Sequence, residues 1–488
     1  MIFHNKLFIF GFSFLIGILV PIFRMHSDTA SLISEAVKAG SGISFDIDYI
    51  SPFGPIPHIL LILANHIFNN IWISYLFISG IQNIIFSYLI FNLTIKYCED
   101  IKLGVSAALI TAIWFTPQVG GYYFDNLAII FGILSFNFIA SIGGLSDKKY
   151  DYFLSSLAMA VCLLIKQNTF LVTFIPTIVI IIIIKRDKLL EYLIYFSTST
   201  VLILFLYDLA YGNALNFIKI YLESIINYQQ STQRLGINNL ISVLIYPYNI
   251  QLIEIFKHKG IIVFAGLLSI YYLFSLFFLK DIISRKINYI VLFFGLANIL
   301  SIFLVGRGIS NTQYFLGIIF VYLFNNLKNP LFNKFIFNFI IFSGILLLLT
   351  GNNYIIKSIS EFSVLDYKRI NSYINVEDLN EFNSVFKLGD KVSVIGGENS
   401  NIFPVLFGII PTNSRLFYNN LIINDINKNL LWQKEEIKNI KKYKPKFVVL
   451  NNNNFDKMKK EIIIKYLGEN YQIIFSSDMY YLFRINEK

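Results

Sequence analysis

The sequence predicts an α-helical polytopic membrane protein of about eleven spans, closed by a small extracytoplasmic α/β domain. Three observations predict it. Of 488 residues, 56% are hydrophobic and only 14% charged, where a soluble domain carries about 25% charged. The apolar residues, rich in Ile, Phe and Leu, fall in runs of about 17–25, the length that crosses a bilayer as helix. Beyond about residue 352 the chain turns polar and takes on soluble-domain periodicity. The short alternating strands of a membrane barrel are not seen.

Taken in order, spans are expected at roughly 7–23, 72–95, 102–118, 124–143, 152–165, 169–184, 189–206, 261–279, 288–305, 312–327 and 335–350. The first reads as a retained anchor. Its apolar stretch is long for a signal peptide, and Arg24-Met25-His26 follows it in place of a small-x-small cleavage site.

Orientation follows from lysine and arginine in the short loops. One set holds Lys6, Lys96, Lys102, Lys148, Lys149, Lys185, Arg186, Lys188, Lys280, Arg285, Lys286, Lys328 and Lys334. The opposite set is sparse, with Arg24, Lys38, Lys166 and Arg307. The rich set is expected in the cytoplasm. The N-terminus is then inside, and an odd number of spans leaves the C-terminal region outside. The domains are expected as 1–351, the transmembrane part, and 352–488, a soluble extracytoplasmic α/β domain.

Three regions face outward on this reading. Residues 24–71 hold an amphipathic stretch, Thr29 to Lys38, then Asp46-Ile-Asp48-Tyr49 and Ser51-Pro52-Phe53-Gly54-Pro55. Ile56 to Ile67 is too short to span and suits a helix lying in the interface. Residues 207–260 form a loop rich in Tyr, Asn and Gln. In the tail, strands are expected at 391–395, 446–450, 471–475 and 480–485, and helices at 432–443 and 457–466.

The formal charge of +10 does not mark a nucleic-acid binder, because the basic residues gather in one set of membrane loops. Cys98 and Cys162 fall at a cytoplasmic loop and inside a span, so no disulfide is expected. The Asn, Ile, Lys and Phe bias points to an AT-rich bacterial genome.

Candidate chemistry lies at the outer face. Asp28 starts the amphipathic stretch, where a carboxylate caps a helix or faces a substrate as base or metal ligand. Asp46 and Asp48 form a D-x-D, a spacing that lets two carboxylates converge on a divalent cation, although it also arises by chance. Asp125 opens a span, where the helix dipole alone favours it. Lys166 breaks an apolar stretch against the positive-inside trend, either snorkelling or holding a phosphate. Arg307 sits between Gly306 and Gly308, suited to bidentate phosphate binding, and Tyr314 follows at the mouth of the next span. His58 and His66 read as interface or packing residues. No P-loop, dinucleotide fingerprint or Ser/His/Asp arrangement stands out.

The order and shared side of these features resemble the GT-C superfamily of membrane glycosyltransferases. The likeness is to the bacterial branch related to protein mannosyltransferases and aminoarabinose transferases. The features are Asp28 with its amphipathic stretch, Asp48-Tyr49 before the Pro-rich turn, Asp125, Lys166, Arg307 with Tyr314, and an outer domain closing the chain. The resemblance implies an enzyme taking a sugar from a polyprenyl-phosphate donor and giving it, with inversion, to a glycan, lipid or protein acceptor. It implies Asp28 as base with Asp48 or Asp125 assisting, and Lys166, Arg307 and Tyr314 at the lipid phosphate. Cofactors are left open, a divalent metal at Asp46 and Asp48 included. Gln313 departs from the His that relatives often carry there. Alternatives are an O-antigen polymerase or ligase, which usually relies on arginine-rich outer loops, and a transporter, which predicts repeats and mid-span charges. The 207–260 loop has one arginine, Arg234, and neither repeats nor mid-span charges are evident. The expected location is the bacterial inner membrane.

Overall fold

A computed structural model describes residues 2–23, 27–43, 54–115, 121–142, 144–211, 289–304, 314–327, 376–395, 403–412, 426–451, 461–478 and 480–486, with short pieces in 214–222 and 337–345. The chain forms two compact units. One comprises Met1–Arg24, Leu76–Gly212 and Arg234–Asn352, the other Met25–Tyr75, Asn213–Gln233 and Asn353–Lys488.

The first unit is a helix bundle. It contains α1 (Ile2–Phe23), most of α4 (Ile71–Cys98), α5 (Ile101–Trp114), α6 (Phe124–Ile139), α7 (Lys149–Ile165), α8 (Gln167–Ile184), α9 (Leu189–Tyr211), α10 (Tyr289–Leu304) and α11 (Leu316–Leu327). Between α6 and α7 lies a two-residue ladder of β1 (Ala140–Ser141) and β2 (Gly144–Leu145). Three described helices are long and apolar enough to cross a membrane: Ile71–Cys98, Gln167–Ile184 and Arg186–Leu209. Helix α9 leaves Leu190, Ile194, Val201, Phe205 and Leu209 exposed. Such a stripe, repeating at helical spacing, has no place in water and is at home against lipid. This is an integral membrane protein. The expected spans at 261–279 and most of 335–350 lie outside the described residues.

Among the described residues, several that the charge count assigns to one side make contact with one another. Lys96 of α4 donates to the Asn137 carbonyl at 2.7 Å, and Lys185 donates to the Ser146 carbonyl at 3.2 Å and pairs with Asp147. Tyr289 at the start of α10 reaches the Ser141 carbonyl. Asp100 caps α5 by accepting from the backbone N–H of Lys102 and Leu103 at 2.7 and 3.3 Å, satisfying two N–H groups left open at the helix start.

Within the bundle, buried Asn83 of α4 donates to the Ser13 and Ala112 carbonyls at 2.9 and 3.0 Å. One amide thus ties α1 and α5 to α4. Beside it, a Cβ built on Gly17 would lie 2.7 Å from the Ser79 carbonyl oxygen and 2.9 Å from the Gly80 Cα. The two helices approach closely because both contact residues are glycine. Gly17→Val is expected to destabilise the protein by about 1–3 kcal/mol, read as a lower melting temperature in detergent. An unchanged melting temperature would contradict this contact.

The second unit joins the first outer region to the tail. Helices α2 (Ser27–Gly40) and α3 (Ile56–Phe68) pack on each other. The tail supplies α12 (Val376–Val385), β3 (Lys391–Ile395), α13 (Phe403–Phe407), β4 (Ile410–Pro411), α14 (Ile426–Tyr443), β5 (Phe447–Asn451), α15 (Glu461–Asn470), β6 (Tyr471–Ser476) and β7 (Tyr480–Ile485). The sheet order is β4-β3-β5-β7-β6, with β3 parallel to β4 and β5, and β7 antiparallel to β5 and β6.

Strand periodicity explains the two layers around this sheet. Val392, Val394, Phe447 and Val449 face a core with Phe382, Phe386, Phe403 and Phe407 of α12 and α13. Ile395, Val448 and Leu450 face Trp432, Ile440 and Leu467 of α14 and α15. Successive side chains point to opposite faces, so a sheet covered on both sides reads as an unbroken apolar run. Helix α2 packs against α13 and β4.

Candidate active site

Asp125 and Lys166, singled out separately in the sequence, meet in the structure. Asp125 sits in the first turn of α6, after an extended Tyr123 (φ −156°, ψ 159°) and a positive-φ Gly121 (φ 123°). Lys166 is the single extended residue between α7 and α8 (φ −158°, ψ 119°). Its backbone N–H donates to Cys162 at 3.1 Å, and its carbonyl accepts from Phe170 at 2.9 Å. A one-residue break in an apolar run therefore keeps its main-chain bonds and throws a lysine side chain sideways.

The Lys166 Nζ lies 2.8 Å from both Asp125 carboxylate oxygens. Thr169, one turn into α8, donates to Oδ1 at 2.8 Å. The Asp125 side chain is 2% exposed and that of Lys166 14%. The Tyr123 ring lies 5.8 Å from the ammonium, within reach of a cation–π attraction. Both carboxylate oxygens accept bonds, so a buried charge that would otherwise be costly is held in one orientation.

Further polar side chains surround this end of α6. Asn126 donates to the Gly121 carbonyl at 2.8 Å, Gln82 points to the same oxygen at 3.5 Å, and Ser79 accepts from the Tyr122 N–H at 2.9 Å. The sequence reading did not single out Thr169, Asn126, Ser79 or Gln82. Their signal is a polar residue inside an apolar span, which marks a buried partner in the bundle.

Asp28 is the second residue of α2, in the second unit, at the helix end where the dipole favours a carboxylate. Tyr314 is buried, with its ring edge-on to Phe115 at 5.7 Å. Asp46, Asp48 and Arg307 lie outside the described residues. Among the described residues, no group of three or more His, Cys, Asp or Glu gathers to hold a metal ion.

A second polar cluster, which the sequence reading missed, lies in the second unit. Buried His58 of α3 pairs with buried Glu35 of α2. Lys38, one turn further along α2, is also fully buried. Burial pushes the Lys38 ammonium down from 10.5 to about 8, outweighing the opposite pull of Glu436 in α14 and of Glu35. The unfolded chain therefore binds this proton more tightly than the folded unit does. The cost is full below pH 8 and is relieved as pH rises towards 10.5. The melting temperature of wild type relative to Lys38→Met is expected to rise through that window. A flat difference would contradict the burial of this charge.

The same fold recurs in solved structures of other proteins. The chain superposes on ArnT from Cupriavidus metallidurans, solved bound to undecaprenyl phosphate and in the apo state. For each structure the TM-score is 0.57 and the identity 9%, covering 98% of this chain and 97% of that one. It also superposes on an Archaeoglobus fulgidus oligosaccharyltransferase in complex with Zn and sulfate. There the TM-score is 0.51 and the identity 13%, with 98% of this chain and 73% of the other covered. At such identities the likeness is one of fold, and it bears out the resemblance drawn from the sequence. No protein-family model matches the chain, and no curated protein sequence matches it.

Proposed function

We propose that the protein is a bacterial inner-membrane glycosyltransferase. It transfers a sugar, with inversion, from a polyprenyl-phosphate donor to a glycan, lipid or protein acceptor on the extracytoplasmic side. The observation that carries this reading is the shared fold along 98% of the chain with an ArnT structure bound to undecaprenyl phosphate. About eleven spans, a transmembrane domain over 1–351 and an extracytoplasmic domain over 352–488 belong to the same proposal. The packing of α2 against α13 and β4 supports it, because the first outer region and the tail then lie on one side.

The chemistry follows from the residues. Sugar transfer passes through an oxocarbenium-like state. A carboxylate that takes the acceptor proton contributes on the order of 10²–10⁴-fold, and we assign this role to Asp28, with Asp48 assisting. Charge grows on the leaving phosphate, and fixed cations stabilise it. Lys166 and Arg307 take that role, with Tyr314 at the mouth of its span. Asp125 accepts bonds on both oxygens, so it assists by holding Lys166 rather than by taking a proton. A divalent ion, if used, falls to Asp46 and Asp48, where it would neutralise phosphate charge.

The test is turnover of a panel of polyprenyl-phosphate sugars by the full chain in nanodiscs. Turnover of at least one donor, inhibited by added undecaprenyl phosphate, is expected. No turnover together with no binding of undecaprenyl phosphate would overturn the proposal.

A further inference from the structure

A groove of about 690 Å³ opens on the tail between α14 and α15. Lys434, Lys438 and Lys441 of α14 and Lys465 of α15 line it, and all four are exposed. The three lysines on α14 are four and three residues apart, so they stand in one row along one helix face. At 1.5 Å per residue the row is about 10 Å long. Like charges at these spacings repel and weaken a helix. Among the described residues, Glu469 is the one acid that lines the same groove.

Between the lysines the floor is apolar and aromatic. Ile437 and Ile462 form it together with Tyr466, and the Lys441 ammonium lies 5.4 Å from the Tyr466 ring centroid. A row of cations longer than one phosphate fits a ligand carrying repeated negative charge. An aromatic and aliphatic floor fits the apolar face of a sugar ring. Lysine, a point charge on a flexible stem, tolerates varied anion geometry.

We propose that this groove is a binding site for an anionic glycan, a saccharide chain bearing phosphate, carboxylate or sulfate groups. The site stands independently of the transferase reading.

The experiment uses the full chain in phosphatidylcholine nanodiscs, with fluorescent dextran sulfate as probe and neutral dextran of equal length beside it. Wild type is expected to bind dextran sulfate and not neutral dextran. The triple variant Lys434→Gln, Lys438→Gln and Lys465→Gln should bind about ten-fold more weakly. Exposed lysines elsewhere on the tail, changed as Lys387→Gln, Lys391→Gln and Lys444→Gln, should leave binding unchanged. Tyr466→Leu should weaken binding of dextran sulfate but not of linear polyphosphate. Equal loss in both lysine sets would show a non-specific charge effect and overturn the proposal. So would unchanged binding by the first set, or equal binding of neutral dextran. Loss of vesicle binding at 30% phosphatidylglycerol by the first set, without loss of dextran sulfate, would assign the groove to the membrane surface and also overturn it.

Discussion

Replacing Lys166 by Met is expected to destabilise the protein by about 3–5 kcal/mol, because it leaves a buried carboxylate without its cation. The double change Lys166→Met with Asp125→Leu should recover much of that loss, since a well-packed apolar pair can replace a buried ion pair at little cost. Asp125→Asn alone should fall between, because Thr169 can still donate to the amide oxygen. Thermal unfolding in detergent measures all three, and the coupling energy between the sites comes from the cycle. If Lys166→Met matched wild type, the pair would not carry the charge balance at this end of α6. For the proposed chemistry, the double variant is the informative one. It should be folded yet slow in sugar transfer, because the cation assigned to the phosphate is gone.

Glu35→Ala is expected to cost about 3 kcal/mol or more. It removes the partner of His58 and one of the two anions that offset the burial of Lys38. Glu35→Gln should cost less, since a polar group still faces the imidazole. Loss of this anion also makes Lys38 easier to deprotonate. The rise in stability with pH should therefore begin at a lower pH in Glu35→Ala than in wild type. Protease protection of the tail, followed against pH, reads both effects. Unaltered protection at every pH would contradict the account of this cluster.

The helices and strands were legible because apolar period and length are local signals. The expected spans at 72–95 and 169–184 correspond to Ile71–Cys98 and Gln167–Ile184, and the strands at 391–395 and 480–485 to β3 and β7. The helix expected at 457–466 is described over Glu461–Asn470. Residues 457–460 lie outside the described residues. The short elements α13 and β4 carry too few residues to show a period.

The site was legible as a set of residues and not as a set of contacts. Asp125 and Lys166 stood out because each is a charge in an apolar context. Their pairing across 41 residues depends on how α6 packs against α8, which no local pattern encodes. His58 read as a packing histidine and proves to be buried against Glu35. Glu35 and Lys38 lie in an amphipathic stretch whose polar face looks solvated until the tail covers it.

The most direct test of the central proposal is sugar transfer from the active polyprenyl-phosphate donor by wild type and by Asp28→Asn, each shown to be folded by its melting temperature. The account predicts a loss of about 10²–10⁴-fold in kcat, with donor binding retained. Asp28→Asn turning over at the wild-type rate would contradict the assignment of the base to this carboxylate.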